Sequence, residues 1–347
     1  MKVFHLSHID LDGYGAQFIA KHFFKEIAFF NANYGKEVEI RLNEILDSIK
    51  QINKQEEILI LITDLNLTLS QAIFLQNQVA ELKIEGYNID LMLLDHHISG
   101  SESAEQFHWY FLDISRSACK ITLDTLLERH SLLDPSSKEW LNHFSNMVNS
   151  VDIWKSDGYG FEFGKVAMGM IAQLKDPNRL MFEEENRKVK FFMLEKIKDY
   201  LYLPQAEVKF DNDLLMLKKL AFGGDPQKQT MDNILAEFLV SLLEKKKEEM
   251  EICIKNHKGI LTYTLGNVSV IGNQFLIRNP DYAFILDVNT RGNVSLRANN
   301  QIDVSLLAQE YFDGGGHKNA SGGRIEAFKE SFFYTQIKYQ VEQILQP

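Results

Sequence analysis

Three apolar runs, each ending in acid or histidine, constrain this chain more than any other feature of it. "KVFHLS" (Lys2 to Ser7) runs into His8, Asp10 and Asp12, "EEILILITD" (Glu56 to Asp64) ends on Asp64, and "YNIDLMLLDHH" (Tyr87 to His97) ends on Asp95, His96 and His97. The runs do not alternate with polar residues, which is the pattern of strands buried on both faces. Between them, "DGYGAQFIAKHFFKE" repeats Ala16, Ile19, Ala20 and Phe23 at helical spacing, and "LTLSQAIFLQNQVAELKIEG" keeps a helical period until Gly86. Strand and amphipathic helix in alternation predict an α/β fold with a parallel sheet flanked by helices. Ligands of such sheets gather beyond the carboxyl ends of the strands, so one edge receives all these polar residues.

From about Leu126 to Leu220 the reading is helical, most clearly in "SKEWLNHFSNMVNSVDIW" and "NRKVKFFMLEKIKDYLYL". "TMDNILAEFLVSLLEKKKEEMEICI" (Thr230 to Ile254) reads as one long helix leading to a second domain. Beyond it "GILTYTLG", "VSVIG", "YAFILDVNT" and "NVSLRANN" read as strands, the last two joined by a hairpin at "TRGN". A short helix "DVSLLAQEYF", a loop "DGGGHKNASGG" and a terminal helix "ESFFYTQIKYQVEQIL" complete the chain. The expected organisation is a metal-binding catalytic domain over 1–225, with its helical part at about 126–220, a helical linker over 226–255, and a smaller α/β domain with a mixed sheet over 256–347. A length of 347 residues suits two domains, each with its own core.

Composition narrows the function. With 45% hydrophobic and 24% charged residues the chain is globular rather than disordered. Two cysteines, Cys119 and Cys253, make neither a disulfide framework nor a thiolate cluster, as expected in a reducing compartment. No apolar run approaches the roughly 20 residues of a membrane span. The start "MKVFHLSHID" lacks the apolar core of a signal peptide, so the expectation is a cytoplasmic protein without a membrane partner. A net charge of -11 argues against tracking along long nucleic acid by phosphate neutralisation, and leaves open a short anionic substrate held through metal ions.

Histidine and carboxylates at alternate positions, joined by carboxylates from two other strands, suit a pair of Mn²⁺-type ions with open positions for water. Alone, "HIDLD" is more simply a solvated helix cap and "DHH" a capping aspartate beside two packed histidines. Together they favour metal, because several acids at one buried edge repel each other without cations. In "GGGHKNASGG", Gly314, Gly315 and Gly316 allow close backbone approach to an anion, and His317 and Ser321 add donors. A flexible glycine turn is the plainer alternative there. His5, His22, His108, His130, His143 and His257 read as packing or surface histidines. Phe23-Phe24, Phe29-Phe30 and Phe332-Phe333 read as core or homodimer contacts rather than base-stacking platforms.

"HIDLDG", the aspartate of "LITD", "LLDHH" and a later aspartate after an apolar helix resemble, in order and spacing, the four motifs of the DHH phosphoesterase superfamily. "GGGHKNASGG" resembles the glycine-rich signature of the DHH-associated C-terminal domain, so the resemblance spans both ends of the chain. In length and layout it is similar to the oligoribonucleases (nanoRNases), which act on very short RNA and also on 3'-phosphoadenosine 5'-phosphate or linear dinucleotides. The resemblance implies one ion on His8, Asp10 and Asp64, a second on Asp12, Asp64, His96 and Asp152, and Asp64 as the bridge. Asp95 would orient a histidine, and His97 would meet the scissile phosphate or the leaving oxygen. Two ions roughly 3.5–4 Å apart acidify a shared water and clamp the attacking and leaving oxygens. Manganese is the expected metal, with magnesium or cobalt as alternates.

For the fourth motif "NSVDIWKSDG" offers Asp152 and Asp157, and Asp152 is preferred because the apolar "FSNMV" precedes it. "DIW" departs from family members in which a small residue and glycine follow the aspartate, and puts substrate range in doubt. Arg297 in "SLRANN" matches an arginine the family uses on substrate phosphate. Arg116 in "DISRSACK" is open between a phosphate contact and a surface arginine. The leading expectation is therefore a two-metal phosphodiesterase on short RNA or dinucleotides, its active site between the domains. A cyclic-dinucleotide phosphodiesterase and a RecJ-type single-strand DNA exonuclease share the core, while a nucleotide sensor is the non-enzymatic alternative. A family II pyrophosphatase lacks the glycine-histidine loop, and an alanyl-tRNA editing module has no DHH half.

Overall fold

The computed structural model describes residues 1–345. Five strands form its first sheet: β1 (Lys2–Ser7), β2 (Ile27–Asn31), β3 (Glu57–Thr63), β4 (Asn88–Asp95) and β5 (Tyr110–Leu112). All neighbours are parallel and the order is β2-β1-β3-β4-β5, so the connections change direction between β1 and β3. A doubly wound sheet opens its binding crevice at such a switch point. Ser7 pairs with both Asn31 and Thr63, and Thr63 pairs with Leu94. The strand ends are therefore level, and the residues just beyond them share one edge.

Helices α1 (Leu11–Ala20), α2 (Lys36–Ile49), α3 (Leu69–Ile84), α4 (Ser101–Gln106) and α5 (Ala118–Arg129) alternate with these strands. Phe4, Leu6, Ile60, Ile62 and Leu93 pack one face of the sheet against Leu42, Ile45 and Leu46 of α2 and Leu75 and Val79 of α3. α1 and α5 lie on the other face, and α1 is buried all round, its polar Asp12 and Gln17 included. Each fully buried leucine or isoleucine of this core stabilises the fold by about 1.5–3 kcal/mol.

The chain continues through α6 (Lys138–Asp152), α7 (Phe161–Gln173), α8 (Glu183–Ile197), α9 (Ala206–Ala221) and α10 (Met231–Met250). Then follow β6 (Glu251–Ile254), β7 (His257–Tyr263), α11 (Val268–Arg278), β8 (Phe284–Val288), β9 (Asn293–Ala298), α12 (Val304–Tyr311), β10 (Gly315–His317), β11 (Ala320–Arg324) and α13 (Tyr334–Leu345). The second sheet runs β10-β11-β9-β8-β7-β6 and is mixed, with only β7 and β8 parallel. Its core joins Leu239, Val240 and Leu243 of α10 to Ile260, Phe275, Phe284 and Leu286. Among the described residues no helix is long and apolar enough to cross a membrane.

Two compact units result, residues 1–173 with 190–214, and residues 174–189 with 215–347. α8 and α9 are each divided between them, and the segment 226–255, expected as a linker, lies wholly in the second unit. Three local expectations differ from the structure. "VSVIG" is not a strand but the start of α11, capped by Asn267 and burying Val268, Ile271, Gly272, Phe275 and Leu276 at helical spacing. The expected long helix stops at Met250, because Ile252 and Ile254 alternate inward as a strand. The glycine loop is a hairpin, with Gly315, Gly316 and His317 paired to Gly322, Ser321 and Ala320.

Candidate metal centre

Where β1 ends, the chain turns directly into α1. Asp10 caps that helix, its Oδ1 accepting from the Gly13 amide at 3.0 Å. Gly13 is required, since a Cβ there would stand 2.4 Å from the His8 carbonyl oxygen. The His8 Nδ1 lies 2.9 Å from Asp10 Oδ2 and 3.7 Å from Asp64 Oδ2. Asp64 follows β3 at φ 57, the left-handed region that aspartate enters more readily than most residues but still at a cost. Its Oδ1 is 3.3 Å from His96 Nε2, which also lies 3.8 Å from Asp12 Oδ2 and 3.5 Å from Oδ2 of Asp152, the last residue of α6. The structure thus gathers His8, Asp10 and Asp64 into one donor set and Asp12, His96 and Asp152 into another, each within 4.8 Å. Asp64 also groups with His96 and His97, so its carboxylate stands between the two sets.

Asp12 is fully buried and held at the N-terminus of α5, where Ala118 N donates to Oδ2 at 2.7 Å and Cys119 N to Oδ1 at 2.9 Å. Helix amides and the helix dipole favour a carboxylate there, but burial outweighs them and holds Asp12 above the usual carboxylate range. Asp95, buried at the end of β4, lies 2.7 Å from His97 Nδ1 and accepts from the Tyr110 hydroxyl at 3.1 Å. The Tyr34 hydroxyl is 3.0 Å from His97 Nε2, and its ring lies 4.5 Å from that of His8. Burial and the Asp64 charge keep the Tyr34 phenol protonated, so it donates to Nε2 and leaves the Nδ1 proton to Asp95. Asn33 Oδ1 is 3.4 Å from His8 Nε2. Sequence reading missed Asn33 and Tyr34 because the short run "IAFFN" ends without an acid. Its one signal was the cluster of asparagines and glycine in "NANYG" that follows.

Two observations test whether these residues fit divalent cations. Asp64 Oδ2 and Asp152 Oδ2 are buried without a hydrogen-bond partner, which is costly unless something positive meets them. The carboxylates also repel: burial, then the charges of Asp10 and Asp12, push Asp64 well above the usual carboxylate range. Burial and the Asp12 charge push Asp152 up to about 8, against the pull of His96. Burial opposes the charge on His8, but the hydrogen bonds and charges of Asp10 and Asp64 prevail and push it up to about 10. Oxygen and imidazole donors with no thiolate suit a hard to borderline divalent ion, so the set fits.

These shifts predict a pH signature. The metal-free fold retains protons on Asp152 and His8 that the unfolded chain releases, so their contribution is full at low pH and is lost as pH rises toward about 8 and about 10. Cations replace those protons, and their binding strengthens over the same window. The rise in melting temperature on adding Mn²⁺ is expected to grow between about pH 6 and about pH 8.5. Differential scanning fluorimetry across that range checks it, and a shift that shrinks with pH would contradict the donor assignment.

Most of the remaining sequence candidates are held by local partners within their own units. Asp157 is exposed in the loop after α6. Arg116 is engaged by Asp113 at 2.7 Å and Asp124 at 2.8 Å. Arg297, on β9, donates to the Leu296 carbonyl and the Ser269 hydroxyl, both at 2.8 Å. In the hairpin a Cβ would strike backbone at Gly314 and Gly316 but would meet nothing within 4 Å at Gly315. His317 is exposed, and the buried Ser321 hydroxyl donates to the His317 carbonyl at 2.8 Å.

Three known proteins resemble the chain over most of its length. A 3',5'-cyclic-nucleotide phosphodiesterase of Helicobacter pylori (strain ATCC 700392 / 26695) is 53% identical over 344 residues, 99% of either protein. Oligoribonuclease NrnB of Bacillus subtilis (strain 168) is 27% identical over 346 residues, 93% of this chain and 73% of the relative. The crystal structure of an uncharacterized protein from Helicobacter pylori G27 superposes with a TM-score of 0.91 at 52% identity, covering 99% of both chains. No family model matches the sequence.

Proposed function

The chain belongs to the DHH phosphoesterase superfamily and is a phosphodiesterase, and from that premise we propose that its substrates are small nucleotides, 3',5'-cyclic mononucleotides first. The observation that carries the two-ion reading is the Asp64 carboxylate, set between two donor sets with one oxygen unpartnered. In this reading His8, Asp10 and Asp64 hold one divalent ion, and Asp12, Asp64, His96 and Asp152 hold a second, manganese before magnesium or cobalt. Bound there, the ions would supply positive charge to the phosphate oxygens and acidify an attacking water.

The residues around them do the positioning. His97 has its ring orientation set from both sides, by Asp95 and by Tyr34, and in this reading it stands beside the scissile phosphate. Asp12 needs no rearrangement to act as a ligand, because α5 already holds it. For a substrate that carries a phosphate beyond the scissile one, Arg297 and the backbone at Gly315 and Gly316, with His317 beside them and Ser321 bracing the turn, take that second phosphate. A net charge of -11 supports a small anion over a long one.

Very short oligoribonucleotides are the second reading, favoured by the likeness to the Bacillus oligoribonuclease over 93% of this chain. The test is Mn²⁺-dependent hydrolysis, side by side, of cyclic AMP, an RNA dinucleotide, a long RNA, cyclic di-AMP, 3'-phosphoadenosine 5'-phosphate and pyrophosphate. Fastest turnover of cyclic AMP is the expected result, and fastest turnover of the dinucleotide installs the second reading. Preference for the long RNA or for pyrophosphate would overturn both, and no turnover of any would bring forward a nucleotide sensor.

A further inference from the structure

We propose that Trp154 is a stacking platform for the nucleobase of the substrate. The inference rests on the small-nucleotide reading above and adds the part of the ligand that is not phosphate. α6 closes at Asp152 with two reversed hydrogen bonds, Lys155 N to the Ser150 carbonyl at 2.7 Å and Trp154 N to the Val151 carbonyl at 3.3 Å. Such a closure puts one residue in the left-handed region, and that residue is Trp154, at φ 54. Glycine or asparagine normally occupies the position, and a bulky aromatic there is an outlier.

The fold gains little from a tryptophan at this point. Trp109 and Trp140 are 8% and 3% exposed, whereas Trp154 is 64% exposed, with an edge-to-face contact to Phe161 at 5.3 Å and 87°. That contact sets the plane of the indole and leaves most of its surface open. Strained backbone under an exposed aromatic persists where something other than packing holds it, and such residues cluster at functional sites.

Position and chemistry name the ligand. Trp154 follows Asp152 by two residues, and Asp152 Oδ2 lies 3.5 Å from His96 Nε2. With consecutive Cα atoms about 3.8 Å apart, the Cα of Trp154 lies within about 8 Å of the Cα of Asp152, so the indole is rooted beside the donor set on a scale that a sugar spans between phosphate and base. Stacking of a base on an aromatic ring is tolerant of base identity, since every base presents a π face. Trp154 therefore recognises that a base is present rather than which one it is.

The test has a spectroscopic arm and a kinetic arm. Trp154 is the exposed one of three tryptophans, so AMP is expected to quench its fluorescence and ribose 5-phosphate is not, and Trp154→Phe is expected to abolish the AMP signal. In the kinetic arm, KM for baseless ribose 3',5'-cyclic phosphate should exceed that for cyclic AMP by about tenfold to hundredfold. That ratio should collapse toward one in Trp154→Gly, which suits the backbone angle, and largely return in Trp154→Phe, with kcat moving far less than KM. Unquenched fluorescence with AMP, or an unchanged ratio in Trp154→Gly, overturns the proposal. If neither ester is hydrolysed, the functional reading fails while the AMP titration still decides the platform.

Discussion

Asp64→Asn is expected to lower phosphodiester hydrolysis by roughly 10³-fold or more, while the purified chain keeps its fold and its thermal transition. The reasoning starts from the backbone. Asp64 sits in the left-handed region, which asparagine tolerates as well as aspartate, so the exchange preserves shape and removes only charge. The metal-free fold should lose nothing, because burial and the charges of Asp10 and Asp12 already disfavour the ionised form. What disappears is the one carboxylate adjacent to both donor sets. Steady-state rates at saturating Mn²⁺, with calorimetry for the number of ions bound, check the expectation. His96→Ala belongs to the same test, since its Nε2 faces Asp12, Asp64 and Asp152. Rates like the parent's in either folded variant would falsify the two-ion assignment.

Gly13→Ala is expected to cost at least about 3 kcal/mol of stability, the upper range for overpacking, because the obstacle is backbone and not a side chain that can swing away. The added methyl would meet the His8 oxygen at 2.4 Å and the His8 carbonyl carbon at 2.7 Å. Relief requires the β1–α1 turn to open, and that turn carries His8, Asp10 and Asp12 together. A displacement near 1 Å in such a site costs about 10²-fold in rate, so kcat/KM should fall with the stability. Gly169→Ala is the control, because nothing lies within 4 Å of a Cβ there and the position is inside α7. It should stabilise by about 0.4–1 kcal/mol. Chemical denaturation of both variants checks the pair, and a Gly13→Ala protein as stable as its parent would remove the steric argument.

β1, β3 and β4 were legible in the sequence because each is a long apolar run with no polar alternation, and their terminal acids marked the shared edge. β2 and β5 were not: β5 is three residues long, and four of the five residues of β2 are only partly buried, so neither carries a run of comparable contrast. α11 was misread because "VSVIG" is β-branched, and its helical period emerges only when Phe275 and Leu276 enter the window. The hairpin β10–β11 had no apolar signal, its pairing being carried by backbone groups of glycines. The ligand candidates His8, Asp10, Asp12, Asp64, His96 and Asp152 come from separate stretches that the fold brings together. The roles of Tyr34 and Asn33 exist only because β2 runs parallel beside β1, a tertiary fact that no local pattern encodes.

The interleaving of the two units has a consequence for biosynthesis. The polypeptide passes between them at 173/174, 189/190 and 214/215, so neither unit is one uninterrupted stretch of chain. During translation the first unit has all its residues once Leu214 leaves the ribosome, but residues 174–189 must wait for partners from beyond Leu215. No single cut therefore yields two autonomous fragments, and gene fusions or truncations that break the chain at one point would leave part of at least one unit on the wrong piece.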